Sequence, residues 1–196
     1  MNRKLNRMII VEGMDNTGKT TLIQRLIRES GRGYLSAMVS LGPNKTMMEQ
    51  LHWANSQIWL SKIGAPLTVY DRFLPFCDVN YGSIIRGGSI WSMNHFILRE
   101  LLEESHPLII YCRPSSRAIL GFEDGRDQMA GVKENARELL DLYDKNIEEL
   151  RERGFKVITY NFELNDRPRN ATDLGNDFDY ISQRVQETIK NHYINL

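Results

Sequence analysis

The sequence predicts an α/β protein in which five parallel strands form one sheet with helices on both faces. Three observations carry that expectation. Short apolar runs alternate with helix-length amphipathic stretches along the whole chain. The first run, Met8-Ile9-Ile10-Val11, leads through Glu12 into Gly13-Met14-Asp15-Asn16-Thr17-Gly18-Lys19-Thr20, which fits G-x-x-x-x-G-K-[ST] and opens a helix. The run Leu108–Cys112 is continuously apolar, as expected of a strand covered on both faces.

Taken in order, strand and glycine loop are followed by a helix containing Leu22, Ile23 and Leu26, which Gly31-Arg32-Gly33 closes. Tyr34–Ser40 reads as a second strand, broken by Gly42-Pro43-Asn44. A helix covers Lys45 to Ile63, with Met47, Met48, Leu51, Ala54 and Ile58 at helical spacing; Gly64-Ala65-Pro66 ends it. Leu67–Tyr70 forms a third strand that delivers Asp71-Arg72 at its carboxyl end. Phe73 to Gly88, with Pro75 and three glycines, reads as loop plus a short helix, and a helix is expected from about Ser89 to Glu104. After the fourth strand come Arg113-Pro114 and a short helix through Ser115–Leu120. Gly121 to Gly131 is polar and glycine-bearing and is expected to form a short mobile lid. A long amphipathic helix follows over Val132–Arg153, then a fifth strand at Phe155–Tyr160, a polar loop at Asp166–Asn176 and a last helix from Asp177 to Ile194.

A chain of 196 residues suits one domain, 1–196, with the lid at about 121–131. Hydrophobic content of 41% with 26% charged residues excludes a disordered chain, and no apolar stretch is long enough to span a membrane. The zero net charge disfavours a protein whose affinity comes from extensive contact with a nucleic-acid backbone. Cys77 and Cys112 lack metal-type spacing and are read as reduced cysteines. Arg3, Lys4 and Arg7 precede an apolar run of only four residues, so no signal peptide is expected and the protein is read as cytoplasmic.

The glycine loop is a phosphate cradle. Backbone N–H groups over Gly13, Asn16, Thr17, Gly18, Lys19, Thr20 and Thr21 surround nucleotide phosphates, the Lys19 ammonium reaches the outer ones, and the Thr20 hydroxyl ligates Mg²⁺. An ordinary glycine-rich strand–helix turn is the alternative. In a parallel sheet the strand ends converge, bringing Asp71-Arg72 and Arg113-Pro114 beside this loop. Phosphoryl transfer needs positioning and charge neutralisation rather than a covalent nucleophile. Arg72 is suited to grip an acceptor phosphate, and Asp71 to hold the metal's water shell; a plain ion pair at the strand end is the simpler reading of the two. Arg113, Arg117 and Arg126 flank the lid, with Arg113 and Arg126 the better catalytic candidates. Phe76 and Tyr81, in the segment after Asp71-Arg72, are carried as acceptor contacts.

Two segments resemble the thymidylate-kinase-like group of P-loop nucleotide kinases, including forms common in bacteriophages. Glu12-Gly13-Met14-Asp15-Asn16-Thr17-Gly18-Lys19-Thr20-Thr21 is similar to the family's E-G-x-D-x-x-G-K-[ST]-T loop, and Asp71-Arg72-Phe73-Leu74-Pro75-Phe76-Cys77-Asp78-Val79-Asn80-Tyr81-Gly82 to its D-R-x-x-x-x-S-[DE]-x-x-Y-G segment, with Cys77 in place of serine. Tyr111-Cys112-Arg113-Pro114, Gln128–Asn135 and Tyr143-Asp144 look like the phage forms. The resemblance implies a P-loop nucleoside monophosphate kinase fold using ATP and Mg²⁺, with Asp15 approaching the acceptor nucleotide or its metal, and a homodimer. It implies a deoxynucleoside monophosphate such as dTMP as acceptor, or alternatively the hydroxymethyl group of 5-hydroxymethyluracil in DNA. Ser40-Leu41-Gly42-Pro43 departs from the R-E-P-G-type loop of cellular thymidylate kinases, which bears on the acceptor. A nucleotide-dependent switch without an acceptor is the reading from another class; the Asp71-Arg72 segment counts against it.

Overall fold

The structure is a computed structural model that describes residues 8–31, 33–39, 45–63, 66–121, 130–165 and 175–194. Five strands, β1 (Met8–Glu12), β2 (Leu35–Val39), β3 (Leu67–Asp71), β4 (Leu108–Cys112) and β5 (Lys156–Tyr160), pair in parallel in the order β2-β3-β1-β4-β5. Among the described residues, seven helices connect or follow them: α1 (Lys19–Ser30), α2 (Met47–Lys62), α3 (Leu74–Ile85), α4 (Phe96–Ser105), α5 (Ser116–Leu120), α6 (Ala136–Glu152) and α7 (Phe178–Ile194).

Side chains alternate across a strand, so each central strand feeds two cores. Met8 and Ile10 of β1, Tyr70 of β3, and Ile109 and Tyr111 of β4 pack with α2, α3, α4 and α6, through residues such as Ile58, Val79, Leu101 and Tyr143. Ile9 and Val11, Val69, and Leu108, Ile110 and Cys112 pack the other way against Leu22, Ile23 and Leu26 of α1 and Ile181, Val185 and Ile189 of α7. Each such side chain removed from water contributes about 1.5–3 kcal/mol, which is why β1 and β4 are apolar at nearly every position. Glu12 is the exception in β1, and it is buried too.

The order of the strands fixes the site. β1 lies between β3 and β4, with Val11 beside Asp71 and Glu12 beside Tyr111, so the chain leaving β1 emerges between the ends of both neighbours. The connection from β1 runs to one side of the sheet and that from β3 crosses to the other, which opens a crevice at the carboxyl end of β1.

Three boundaries differ from the sequence reading. Leu74–Ile85 is one continuous helix rather than loop plus a short helix, because Pro75 falls in its first turn, where a missing N–H costs nothing, and Gly82 packs against the backbone of Gly88 and Ser89. Ser89–His95 is not helical: the Asp78 carboxylate accepts hydrogen bonds from the Ser89 hydroxyl (2.8 Å) and the Ile90 amide (2.7 Å), tying this stretch to α3, and α4 begins only at Phe96. The long helix starts at Ala136 instead of Val132. The α2 start is a capping box between Thr46 and Glu49, a local signal the hydrophobic spacing did not include. Among the described residues, no helix is long and apolar enough to cross a membrane.

Most of the lid stretch 122–129, with Arg126, lies outside the described residues, as do Ser40-Leu41-Gly42-Pro43 and Arg3, Lys4 and Arg7.

Candidate functional site

The site grows out of the turn after β1. Gly13 has a φ of 142°, and a Cβ there would stand 2.7 Å from the Cys112 carbonyl oxygen and 2.9 Å from Thr17 Oγ1. No side chain fits, so the loop folds as bare backbone against the end of β4. Gly18, at φ 82°, is the residue before α1 and brings no side chain to cap that helix, which leaves the first-turn amides facing outward. Phe162, in a single 3₁₀ turn over Phe162–Leu164, lies 3.1 Å from where a Gly18 Cβ would be and closes the loop from the β5 side. Asn16 takes a left-handed backbone, φ 63°, as its short polar side chain allows. The Thr17 hydroxyl donates to the Met14 carbonyl at 2.9 Å, and the Lys19 ammonium donates to the same oxygen.

Lys19 is 7% exposed, rare for a lysine. Burial, followed by the charge of Arg72, pushes its ammonium down to about 8, against the pull of Asp15. A cation held this far out of water gains strongly from any anion that enters. Thr20 and Thr21 are exposed at the start of α1, and the Thr20 hydroxyl donates to Asp71 Oδ2 at 3.1 Å, so the two residues expected to serve a metal already face each other.

The second wall comes from the end of β3. Arg72 has a φ of 69°, left-handed for a side-chain-bearing residue, a conformation that costs roughly 1–2 kcal/mol. Its Nη2 donates to Asp15 Oδ1 and, at 3.0 Å, to the Tyr81 hydroxyl, while the Asp15 amide donates to that same hydroxyl at 3.1 Å. Burial alone would raise the Asp15 carboxyl, but Arg72, Lys19 and the hydrogen bonds from Arg72 and Tyr81 outweigh it and hold the group below its usual range. Arg72 Nε is buried with no partner among the described residues.

Glu12 stands under both walls at 1% exposure. Its Oε1 accepts from the Phe73 amide at 2.7 Å and its Oε2 lies 3.4 Å from the Tyr143 hydroxyl of α6. Desolvation pushes the carboxyl up to about 7, with the Phe73 hydrogen bond, Arg72 and Lys19 working against it.

Five of the six residues expected to be catalytic fall in the described structure, and four of them, Lys19, Asp15, Asp71 and Arg72, come together. Arg113 stands on the next strand end, where Asp144 accepts from its Nε (2.9 Å) and Nη2 (2.9 Å), Pro114 from its Nη1, and the Tyr111 hydroxyl joins Asp144 at 2.7 Å. Arg117 is exposed on α5.

Phe76 corrects its expectation. It is 2% exposed within the core, edge-on to Tyr143, because α3 is a full helix and turns it inward. Tyr81 is likewise buried and offers its hydroxyl to Arg72 and Asp15 rather than a ring face to an acceptor.

Glu12, Tyr143 and Asp144 enter the sequence reading only within segments of the family resemblance, without a role of their own, and Phe162 does not enter it. Glu12 also carries a signal in the residues themselves, a charge closing an otherwise apolar strand.

The chain's backbone superposes on YorR from Bacillus subtilis, whose crystal structure is in complex with phosphorylated GDP, with a TM-score of 0.69 over 93% of this chain and 95% of that one. The two share a fold. At 14% identity the likeness is one of architecture alone, and it agrees with the parallel five-stranded sheet expected from the sequence. APE1195 is a weaker match, with a TM-score of 0.42 at 15% identity over 96% and 98% of the two chains. No protein-family model and no curated protein matches the chain in sequence.

Proposed function

We propose that this protein is a Mg²⁺- and ATP-dependent phosphotransferase that moves the γ-phosphate of ATP to a deoxynucleotide, with a deoxynucleoside monophosphate of the dTMP type as acceptor. The observation that carries the reading is Arg72. Its guanidinium is held by Asp15 and Tyr81 at the lip of a phosphate cradle, on a left-handed backbone, with a buried Nε that has no partner among the described residues. A guanidinium whose side chain stays 21% exposed at that lip suits an anion entering the crevice.

The donor side fits ATP. Gly13 and Gly18 let the loop fold tightly against Cys112 and Phe162, which leaves its backbone amides for phosphates, and Lys19 exchanges the Met14 carbonyl for phosphate oxygens. Thr20 and Asp71 would hold Mg²⁺, which when bound supplies neutralisation of phosphate charge. Lys19 and Arg72 draw negative charge from opposite sides of the transferred group, and Asp15 orients the acceptor. A monophosphate acceptor is already anionic, so the transfer requires no general base.

The test is incubation with γ-labelled ATP and Mg²⁺, offering each nucleoside and deoxynucleoside monophosphate, GDP because YorR was solved with its phosphorylated form, and duplex DNA with or without 5-hydroxymethyluracil. Label in a deoxynucleoside diphosphate supports the reading. Label in the modified DNA moves the acceptor to a hydroxymethyl base, and ATP turnover indifferent to every acceptor overturns phosphotransfer.

A further inference from the structure

Arg72 works from a backbone that resists its own conformation, and both amides that hold it there are taken by consecutive residues of β1. The Arg72 N–H donates to the Val11 carbonyl at 3.0 Å. The Phe73 N–H donates to Glu12 Oε1 at 2.7 Å. The first bond is made by strand backbone. The second falls to a side chain, because past Glu12 the main chain turns away into the phosphate loop at Gly13. A residue in a left-handed conformation persists only where its surroundings over-determine it, and here β1 fixes the peptide on each side.

Glu12 is also built into the wall that aims the guanidinium. Its Oε2 lies 3.4 Å from the Tyr143 hydroxyl, and the Tyr143 ring packs edge-on to Tyr81 at 6.0 Å between centroids. Tyr81 in turn hydrogen-bonds Arg72 and the Asp15 amide. The contacts close a ring from Glu12 through Phe73 and Arg72 to Tyr81, Tyr143 and back. Every other β1 residue is apolar, and a carboxyl buried among them is unfavourable unless its hydrogen bonds are needed.

We infer that Glu12 is a positioning residue: by holding the Phe73 amide it keeps Arg72 in its left-handed conformation and so sets where the guanidinium meets the acceptor. Glu12 acts through Arg72 and touches no substrate. The inference rests on the acceptor role proposed for Arg72, and the experiment separates the two.

Three proteins are compared: wild type, Glu12→Met, which matches the side-chain length without an acceptor oxygen, and Glu12→Gln, which keeps one. Amide hydrogen exchange, read by NMR with no substrate present, is expected to quicken at Phe73 by about tenfold in Glu12→Met and less in Glu12→Gln, with α1 amides unchanged. With ATP and dTMP, the dTMP KM is expected to rise about tenfold in Glu12→Met and about twofold in Glu12→Gln, while the ATP KM stays constant. Unchanged Phe73 exchange overturns the inference, as does equal weakening of ATP and dTMP, or a Gln variant as impaired as Met. Should Glu12→Met fail to fold, Glu12→Gln decides alone: Phe73 exchange and dTMP KM both equal to wild type overturn it. If wild type transfers label to no acceptor, the proposed function fails on its own, and Phe73 exchange still decides the role of Glu12.

Discussion

The two walls of the site are made of different material. The phosphate loop is mainly backbone: Gly13 and Gly18 exclude side chains, and the Thr17 hydroxyl and the Lys19 ammonium turn inward to one carbonyl, that of Met14. The wall opposite is side chain: Arg72 and Tyr81 hold one another and reach across to Asp15 of the loop, with Tyr143 and Glu12 beneath. A backbone cradle recognises what all phosphates share, whereas a network of side chains recognises one arrangement of charge. On the proposed function, generic binding and selectivity reside on opposite sides of one crevice, and substitutions should separate them.

The largest effect is expected from Lys19→Ala, which removes the charge from the cradle and should lower transfer about 10³-fold or more. Because the wild-type ammonium is buried, its loss should leave the melting temperature unchanged or raised, and a matched fall in both would break the comparison. Gly13→Ala should follow. The added Cβ meets main chain 2.7 Å away and an unfavourable φ, so a loss of about 3 kcal/mol is expected in stability by denaturant titration, together with nucleotide affinity.

On the other wall, Arg72→Ala should raise the acceptor KM about 30-fold or more and alter the ATP KM little, checked by steady-state kinetics with each substrate varied in turn. Equal loss of both would merge the two walls into one. Glu12 supplies a pH signature of the side-chain wall. Its folded value of about 7 exceeds the ordinary 4.5, so the folded state holds this proton more tightly. The stability that follows is fully present below pH 4.5 and is lost as pH rises through 7. Glu12→Gln should abolish that slope and be more stable than wild type at pH 8 by about 3 kcal/mol, measured by urea titration at several pH values. The smallest effect belongs to Tyr81→Phe, where removal of one hydroxyl leaves Arg72 held by Asp15 and should raise the acceptor KM about fivefold.

The same contrast explains what could be read without coordinates. The cradle is local: its glycines, lysine and threonine sit within one motif between a strand and a helix, and each position has a single physical reason. Parallel strands with helices on both faces follow from alternating elements and right-handed crossovers, and Asp71-Arg72 could be brought to the cradle's end of the sheet on that basis. The side-chain wall is not local. Tyr143 meets Glu12 across 131 positions of sequence, and Asn80 meets Asn146 across 66, contacts that helix periodicity does not encode. The burial of Phe76 has a related reason. Pro75 and Gly82 read as breakers, yet one occupies a first helical turn and the other a close packing point, and the uninterrupted helix turns Phe76 inward.

Helix α6 carries one further consequence. Tyr143 and Asp144 are adjacent, and successive helical residues point about 100° apart. Tyr143 reaches Glu12 at the end of β1, and Asp144 reaches Arg113 and Tyr111 on the neighbouring strand. The apolar stripe of Leu139, Leu140, Ile147 and Leu150 would tolerate a modest roll of the helix, since greasy contacts are not directional. The two polar contacts would not: they admit a single rotational phase of α6, so that one cylinder, keyed at two adjacent teeth, indexes the strand beneath the cradle to the strand that bears Arg113.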